Sequence, residues 1–177
     1  MRTQEEKGIV FRALHERDTA FIIPNPWDIG TARLLAHLGF EALATTSAGY
    51  AFSIGQRDNT VGRDKMMAHV RDIVSATDLP VSADLENGFG DDPEAAAETI
   101  RLGAGAGLVG GSIEDLTTNR DNPIYEVEHA ADRVGAAVEV VRSLGFPFML
   151  TARAENYLFG RRDLDNTIKR LQAQRDV

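Results

Sequence analysis

Short apolar runs alternating with longer helical patterns predict an α/β fold on a parallel sheet, either an open doubly wound sheet or a (β/α) barrel. Two further observations point to that class. The runs are nearly continuous in apolar residues, as strands covered on both faces require. Four carboxylates and one arginine also fall beside or just past apolar runs, and parallel α/β folds gather reactive groups at the carboxyl ends of their strands.

The elements follow in order. The N-terminal stretch MRTQEEKGIVFRALHER is charged and helix-like, without the apolar core of an export signal. Residues 21–23 read as a first strand. Asp28 is placed to cap a helix running to Leu38 and stopping at Gly39. Residues 42–44 make a second strand that enters the small polar turn Thr45-Thr46-Ser47-Ala48-Gly49, whose N–H groups and hydroxyls can face an oxyanion. Residues 63–76 form a helix, and residues 80–83 a third strand. Asp92 and Pro93 supply an N-cap and first-turn pair for a helix ending near Gly103. A fourth strand covers residues 107–109. The helix of residues 125–144 carries Val127, Ala130, Ala131, Val134, Val138 and Val141 at helical spacing before Gly145. Residues 148–150 are a fifth strand, and a last helix follows Asp163 with Leu164, Ile168 and Leu171 on one side. No linker, repeat or low-complexity tract interrupts residues 1–177, which read as a single domain.

Composition narrows the partners. The chain of 177 residues is 43% hydrophobic, enough for a real core, and its net charge of −8 with scattered basic residues argues against nucleic acid or an anionic membrane as a partner. It contains no cysteine, which excludes disulfides, zinc thiolate sites and a cysteine nucleophile. No apolar stretch is long enough to span a bilayer, so a cytoplasmic location is expected.

The chemistry-bearing residues are Asp58 in IGQRD, Asp84 and Glu86 in VSADLENGFGD, Glu114 in GSIEDL and Arg153 in LTARAEN. Hard divalent ions take oxygen ligands from one or two carboxylates plus waters and substrate oxygens. An acidic cluster with a single guanidinium therefore suits an anionic substrate that chelates Mg²⁺. His15, His37, His69 and His129 all lie within helical patterns and are expected at the surface.

The runs NPWDIGTARLLAHLGFEALATTSAGYAFSIGQRD, VSADLENGFGDDPEAAAETIRLGAGAGLVGGSIED and LTARAEN resemble the phosphoenolpyruvate mutase and isocitrate lyase superfamily, over about residues 25–171. The resemblance implies a (β/α)₈ TIM-barrel type of fold, with only about five of the eight strand–helix units in this chain, as in a C-terminally truncated member. It also implies Mg²⁺, a small pyruvate-like carboxylate substrate and a homo-oligomer, dimer or tetramer. Asp84 would then be the direct metal ligand, with Glu86, Glu114 and Asp58 holding the ion mostly through its waters. Asp58 and Arg153 would serve catalysis, Arg153 gripping the substrate carboxylate. Thr46, Ser47 and Ala48 would donate to substrate oxygens, and Trp27 or Tyr50 would wall the pocket.

Departures from the family pattern refine the expectation. Family lyases acting on isocitrate or methylisocitrate carry a cysteine in a Lys-Cys-Gly-His loop after the fourth strand. Here residues 115–123 read DLTTNRDNP, without the cysteine that would act as general acid. Glu86 stands where many members have Asp, lengthening one arm by a methylene. The expected activity is cleavage or decarboxylation of a small 2-oxo or 2-hydroxy acid through a metal-stabilised pyruvate enolate. Thr118, Asn119 and Asn122 keep a phosphonomutase or phosphonopyruvate-processing enzyme open as an alternative, and a non-catalytic truncated chain is the third reading.

Overall fold

The computed structural model describes residues 2–119 and 121–177; Arg120, within the loop read at 115–123, lies outside the described residues. Helix α1 (Gln4–Glu16) begins with a capping box in which Thr3 and Glu6 satisfy each other's backbone N–H groups. Helix α2 (Ile29–His37) starts at the expected cap, Asp28, whose carboxylate accepts from the Thr31 N–H at 2.7 Å. Strand β1 (Leu43–Ala44) leads into helix α3 (Ser47–Ser53), followed by α4 (Arg63–Ala76) and strand β2 (Val81–Asp84). Helix α5 (Pro93–Gly105), strand β3 (Gly110–Glu114), helix α6 (Val127–Ser143), strand β4 (Met149–Arg153) and helix α7 (Leu164–Arg175) complete the order.

All strand pairs are parallel and the sheet order is β1-β2-β3-β4, the same as the chain order. That order is the winding of a barrel; a doubly wound sheet would reverse direction at a switch point. Of the two alternatives left open by the strand pattern, the order selects barrel winding.

Register shows how the faces divide. Ser82, Asp84, Ser112, Glu114, Thr151 and Arg153 alternate with apolar neighbours, and pairing sets Asp84 beside Ser112, Ser112 beside Thr151 and Glu114 beside Arg153. The other face carries Leu43, Val81, Ala83, Ile113 and Leu150. These pack in the main core with Met67, Val70 and Ile73 of α4, Ala96, Ala97 and Ile100 of α5, and Ala137 and Val140 of α6. The strands are therefore apolar toward the helices and hydroxylic or charged toward the interior. Helix α1 covers the amino end of that interior through Phe11, which packs with Leu14, Ala42 and Val109. Gly110 makes room for it, because a Cβ there would meet Phe11 Cε1 at 2.7 Å.

Four expectations are corrected. Residues 21–23 are not a strand, so among the described residues the sheet has four strands and not five. Pro24 and Pro26 lack N–H groups; Ala44 N–H reaches Pro24 O, and the Asn25 side chain donates to Ala44 O at 3.1 Å where the N–H of residue 26 would complete a ladder. The polar turn at 45–49 is in fact the start of α3, with Thr46 as N-cap accepting from the Gly49 N–H. Asp92 precedes α5 but makes no side-chain capping bond. His69 is buried, at 4% exposure, and its ring stacks on Tyr50 with centroids 3.8 Å apart, because it lies on the α4 face turned inward. No helix among the described residues is long and apolar enough to cross a membrane.

Candidate active site

The carboxyl end of β2 is where the site begins. Asp84 is held by α3 and by its own following loop: its Oδ2 accepts from the Ser47 hydroxyl at 2.7 Å and the Ser47 N–H at 3.2 Å, and its Oδ1 from the Glu86 N–H at 3.3 Å. Its own N–H donates to Thr45 Oγ1 at 3.2 Å. The Thr45-Thr46-Ser47 segment is thus a clamp on Asp84, which explains why small hydroxylic residues follow β1.

Arg153, at the end of β4, reaches across to β3. Its guanidinium lies 2.7 Å from Glu114 Oε1, 3.5 Å from Asp84 Oδ1 and 2.8 Å from Glu155 Oε1. The structure therefore brings Asp84, Glu114 and Arg153 together. Glu155 is a fourth member that sequence reasoning passed over, although it sits two residues beyond Arg153 in the same LTARAEN run.

Glu86 takes a strained position with φ of 51°, in the left-handed region that non-glycine residues rarely occupy. Its side chain is buried and Oε1 has no hydrogen-bond partner among the described residues. Burial, then the charges of Asp58 and Asp84, push its carboxyl up to about 7. Glu114 rises further, to about 8, chiefly through burial and then through Asp84, Glu155 and Asp58, against the pull of Arg153. Asp58 corrects another expectation. It follows helix α3, not a strand, and reaches the cluster from the α3–α4 loop.

Two cavities flank the carboxylates. One of about 250 Å³ lies on the interior face and is lined by Asn25, Thr45, Thr46, Ser82, Asp84, Ser112, Thr151 and Arg153 among others. The other, of about 610 Å³, is bounded by Asp58, Glu86, Phe89, Leu116, Thr117, Thr118, Asn119, Pro123 and Phe159 among others. Trp27 and Tyr50 line neither; Trp27 is 46% exposed and Tyr50 is occupied by His69. Ala48 lies half-buried in the first turn of α3, next to Ser47.

The donor set fits a hard divalent cation. Every candidate ligand is a carboxylate oxygen, Glu86 Oε1 is buried without a partner among the described residues, and two carboxyls are pushed toward protonation by burial and by neighbouring negative charges that a cation offsets. Among the described residues no three Asp, Glu or His side chains already form a closed ligand set. Waters and substrate oxygens must then complete the sphere, the usual arrangement for Mg²⁺.

Behind this cluster is a second, buried ion pair that the sequence did not reveal. Asp115, 1% exposed, pairs with Arg170 of α7 at 3.2 Å and accepts the Glu155 N–H at 2.8 Å. It anchors the end of β3 to α7 and to the segment carrying Glu155.

Comparison with known proteins agrees with this geometry. The family model for phosphoenolpyruvate phosphomutase matches residues 11–176. A protein of Burkholderia cenocepacia J2315, provisionally called a lyase/mutase, is 66% identical, with a TM-score of 0.96 over 98% of this chain and 62% of its own. Oxaloacetate acetylhydrolase, solved in complex with the product oxalate, is 28% identical with a TM-score of 0.89, over 99% of this chain and 62% of its own. The 2,3-dimethylmalate lyase of Eubacterium barkeri is 29% identical over 142 residues, 76% of this chain and 48% of the lyase. The chain spans about half the length of the curated relatives it matches. Sequential parallel strands, the acidic cluster at their carboxyl ends and a family match over nearly the whole chain place this protein in the phosphoenolpyruvate mutase and isocitrate lyase superfamily, on a (β/α)₈-type fold.

Proposed function

We propose that the chain belongs to an Mg²⁺-dependent lyase that cleaves a carbon–carbon bond of, or decarboxylates, a small 2-oxo or 2-hydroxy acid. The observation that carries this reading is the grouping of Arg153 with Asp84 and Glu114 at the ends of neighbouring strands, beside the partnerless oxygen of Glu86. Asp84 would hold the ion directly, with Glu86, Glu114 and Asp58 around it. Bound there, Mg²⁺ supplies Lewis-acid stabilisation of negative charge on substrate oxygens.

The residues divide the remaining work. Arg153 presents a planar pair of donors to the substrate carboxylate, and the hydroxyl-lined smaller cavity receives the polar head. The larger cavity, with Phe89, Leu116 and Phe159 in its wall, takes the fragment beyond the scissile bond. In cleavage of a 2-hydroxy acid the hydroxyl loses its proton, the adjacent C–C bond breaks, and the electron pair passes to the enolate of the departing fragment. In decarboxylation the 2-oxo acid must carry a second carboxylate on C3; that carboxylate departs as CO₂, and the pair of the broken C–C bond remains as the pyruvate enolate. Glu86 is the group placed to take the hydroxyl proton, because its buried Oε1 has no hydrogen-bond partner among the described residues.

Isothermal titration with oxalate, a planar enolate mimic, tests the reading. Heat is expected with Mg²⁺ present, and its absence would overturn the proposal and leave the non-catalytic reading. A phosphonomutase is the second reading, favoured by Thr117, Thr118 and Asn119 in the wall of the larger cavity, where hydroxyl and amide donors can meet a phosphoryl group. Phosphorus NMR after incubation with phosphonopyruvate separates the two, because an unchanged spectrum removes the second.

A further inference from the structure

We infer that Arg133 is the positioning residue of this site, a single buried guanidinium that locks the two loops edging the larger cavity and thereby sets Glu86; the inference rests on reading that cavity as part of the substrate site. Arg133 lies on α6 and is 1% exposed. Its bonds go to backbone oxygens: Nη2 donates to Asn87 O, and Nη1 donates to Asp91 O and, at 3.0 Å, to Asp92 O. One planar group therefore spans the loop from Asn87 to Asp92 that starts directly after Glu86.

That loop needs holding. Glu86, Gly88 and Phe89 have φ of 51°, 79° and 59°, so three of four successive residues occupy the left-handed region. Each non-glycine residue there costs on the order of 1 to 3 kcal/mol and persists only where its surroundings over-determine it. A loop so strained would relax once its carbonyls lost their common donor, and Glu86 would move with it.

The same guanidinium reaches the second loop through Tyr125. It stacks over the Tyr125 ring at 4.7 Å, and the Tyr125 hydroxyl donates to Asp91 Oδ1 at 2.5 Å. Asp91 in turn accepts from the Thr118 N–H at 3.2 Å and the Thr118 hydroxyl at 2.7 Å, while Asn87 Nδ2 donates to Leu116 O at 3.2 Å. Leu116, Thr117 and Thr118 wall the same cavity as Glu86. A role confined to holding α6 in place is the weaker account, because α6 already packs through Ala137 and Val140 into the main core.

Arg133→Met keeps much of the side-chain length while leaving three loop carbonyls without their donor, so the cost is expected to fall on the loop itself, which makes this variant informative. Arg133→Lys keeps the charge but, as a compact ammonium, cannot bridge all three carbonyls in one plane. Three measurements on the full chain are made together: thermal midpoint, hydrogen exchange at residues 86–92 and 116–119, and oxalate affinity with Mg²⁺ present. Arg133→Met is expected to keep a cooperative transition, to lose exchange protection only in those two segments, and to weaken oxalate by roughly ten- to hundred-fold, the range typical of lost outer hydrogen-bond partners at metal sites. Arg133→Lys should lie between, and millimolar ethylguanidinium should restore affinity to Arg133→Ala, which keeps the test decisive if the Met variant does not fold. Oxalate affinity within about twofold of wild type with unchanged loop exchange would overturn the inference. If wild type itself takes up no oxalate, the substrate-site reading fails by itself and loop exchange decides Arg133, unchanged protection refuting it.

Discussion

Glu114→Gln should make the metal-free protein more stable at alkaline pH while removing a proposed ligand. Burial and the neighbouring carboxylates raise the Glu114 carboxyl from 4.5 to about 8 in the folded protein. A raised folded value means that the native state holds a proton the unfolded chain releases. The associated stability is complete below about 4.5 and disappears as pH rises through about 8. One such proton changes stability by up to about 1.4 kcal/mol per pH unit. From pH 5.5 to 8 wild type should therefore lose about 3 kcal/mol relative to Glu114→Gln, whose carboxamide is neutral throughout. For a chain of this size that is roughly 6 to 12 °C in thermal midpoint. At pH 5.5 the folded acid and the amide have nearly the same shape and charge but the unfolded glutamate has already released its proton, so wild type should be about 1.4 kcal/mol the less stable there and the two proteins should melt together only below about pH 4.5. The assay is thermal and urea unfolding of both proteins in EDTA at constant ionic strength. Parallel curves, with the difference constant to within about 0.5 kcal/mol across that range, would refute the electrostatic account of the site.

Three further outcomes follow from the geometry. Asp115→Asn leaves the buried Arg170 without its charge partner and should cost about 3 to 5 kcal/mol, read as a fall in urea midpoint; a loss under about 1 kcal/mol would contradict the buried ion pair. Gly88→Ala places a Cβ 2.9 Å from Ala96 Cα at a residue with φ of +79°, and should cost about 2 to 4 kcal/mol by the same measurement, whereas a neutral substitution would show that the loop backbone is not as described. Mg²⁺ should raise the thermal midpoint more at pH 8.5 than at pH 6, because Glu86 and Glu114 must lose protons to face a cation, and an equal shift at both would remove them from the ion's neighbourhood.

What could be read from the sequence was local or periodic. Asp28 and Asp163 cap α2 and α7 through bonds to the residue three positions on, so a few letters carry the signal. Strands β2 and β4 and helix α4 were legible for the same reason, whereas the strand read at residues 107–109 stops short of β3, Gly110–Glu114, whose opening glycines interrupt the apolar run; the convergence of Asp84, Glu114 and Arg153 follows from placing each at the carboxyl end of a parallel strand. What escaped depends on distant partners or on main-chain donors. Residues 21–23 look like a strand until Pro24 and Pro26 remove the N–H groups a ladder needs. Nothing near Asp115 indicates that Arg170, 55 residues away, will bury it, and nothing near Arg133 points to the carbonyl of Asn87, 46 residues before it. His69 reads as an ordinary helical surface residue because the stacking Tyr50 belongs to a short helix the sequence presented as a turn.

Arg153 gives the site its logic. Without a metal its guanidinium neutralises Glu114, Glu155 and, more distantly, Asp84, and so is committed to the protein's own carboxylates. Substrate can claim that guanidinium at low cost only when another cation takes over the carboxylates, since a carboxylate left buried and uncompensated is expensive. Oxalate and Mg²⁺ should accordingly assist each other, and by linkage the factor by which Mg²⁺ tightens oxalate must equal the factor by which oxalate tightens Mg²⁺. Arg153→Met removes the resident counter-ion. Metal-free, this variant should fall further below wild type in stability at pH 8, where Glu114 ionises, than at pH 5.5. The same features that make the empty cluster costly, crowded carboxyls and a strained Glu86, make it receptive to a cation, so local instability here is the physical form of the site's affinity.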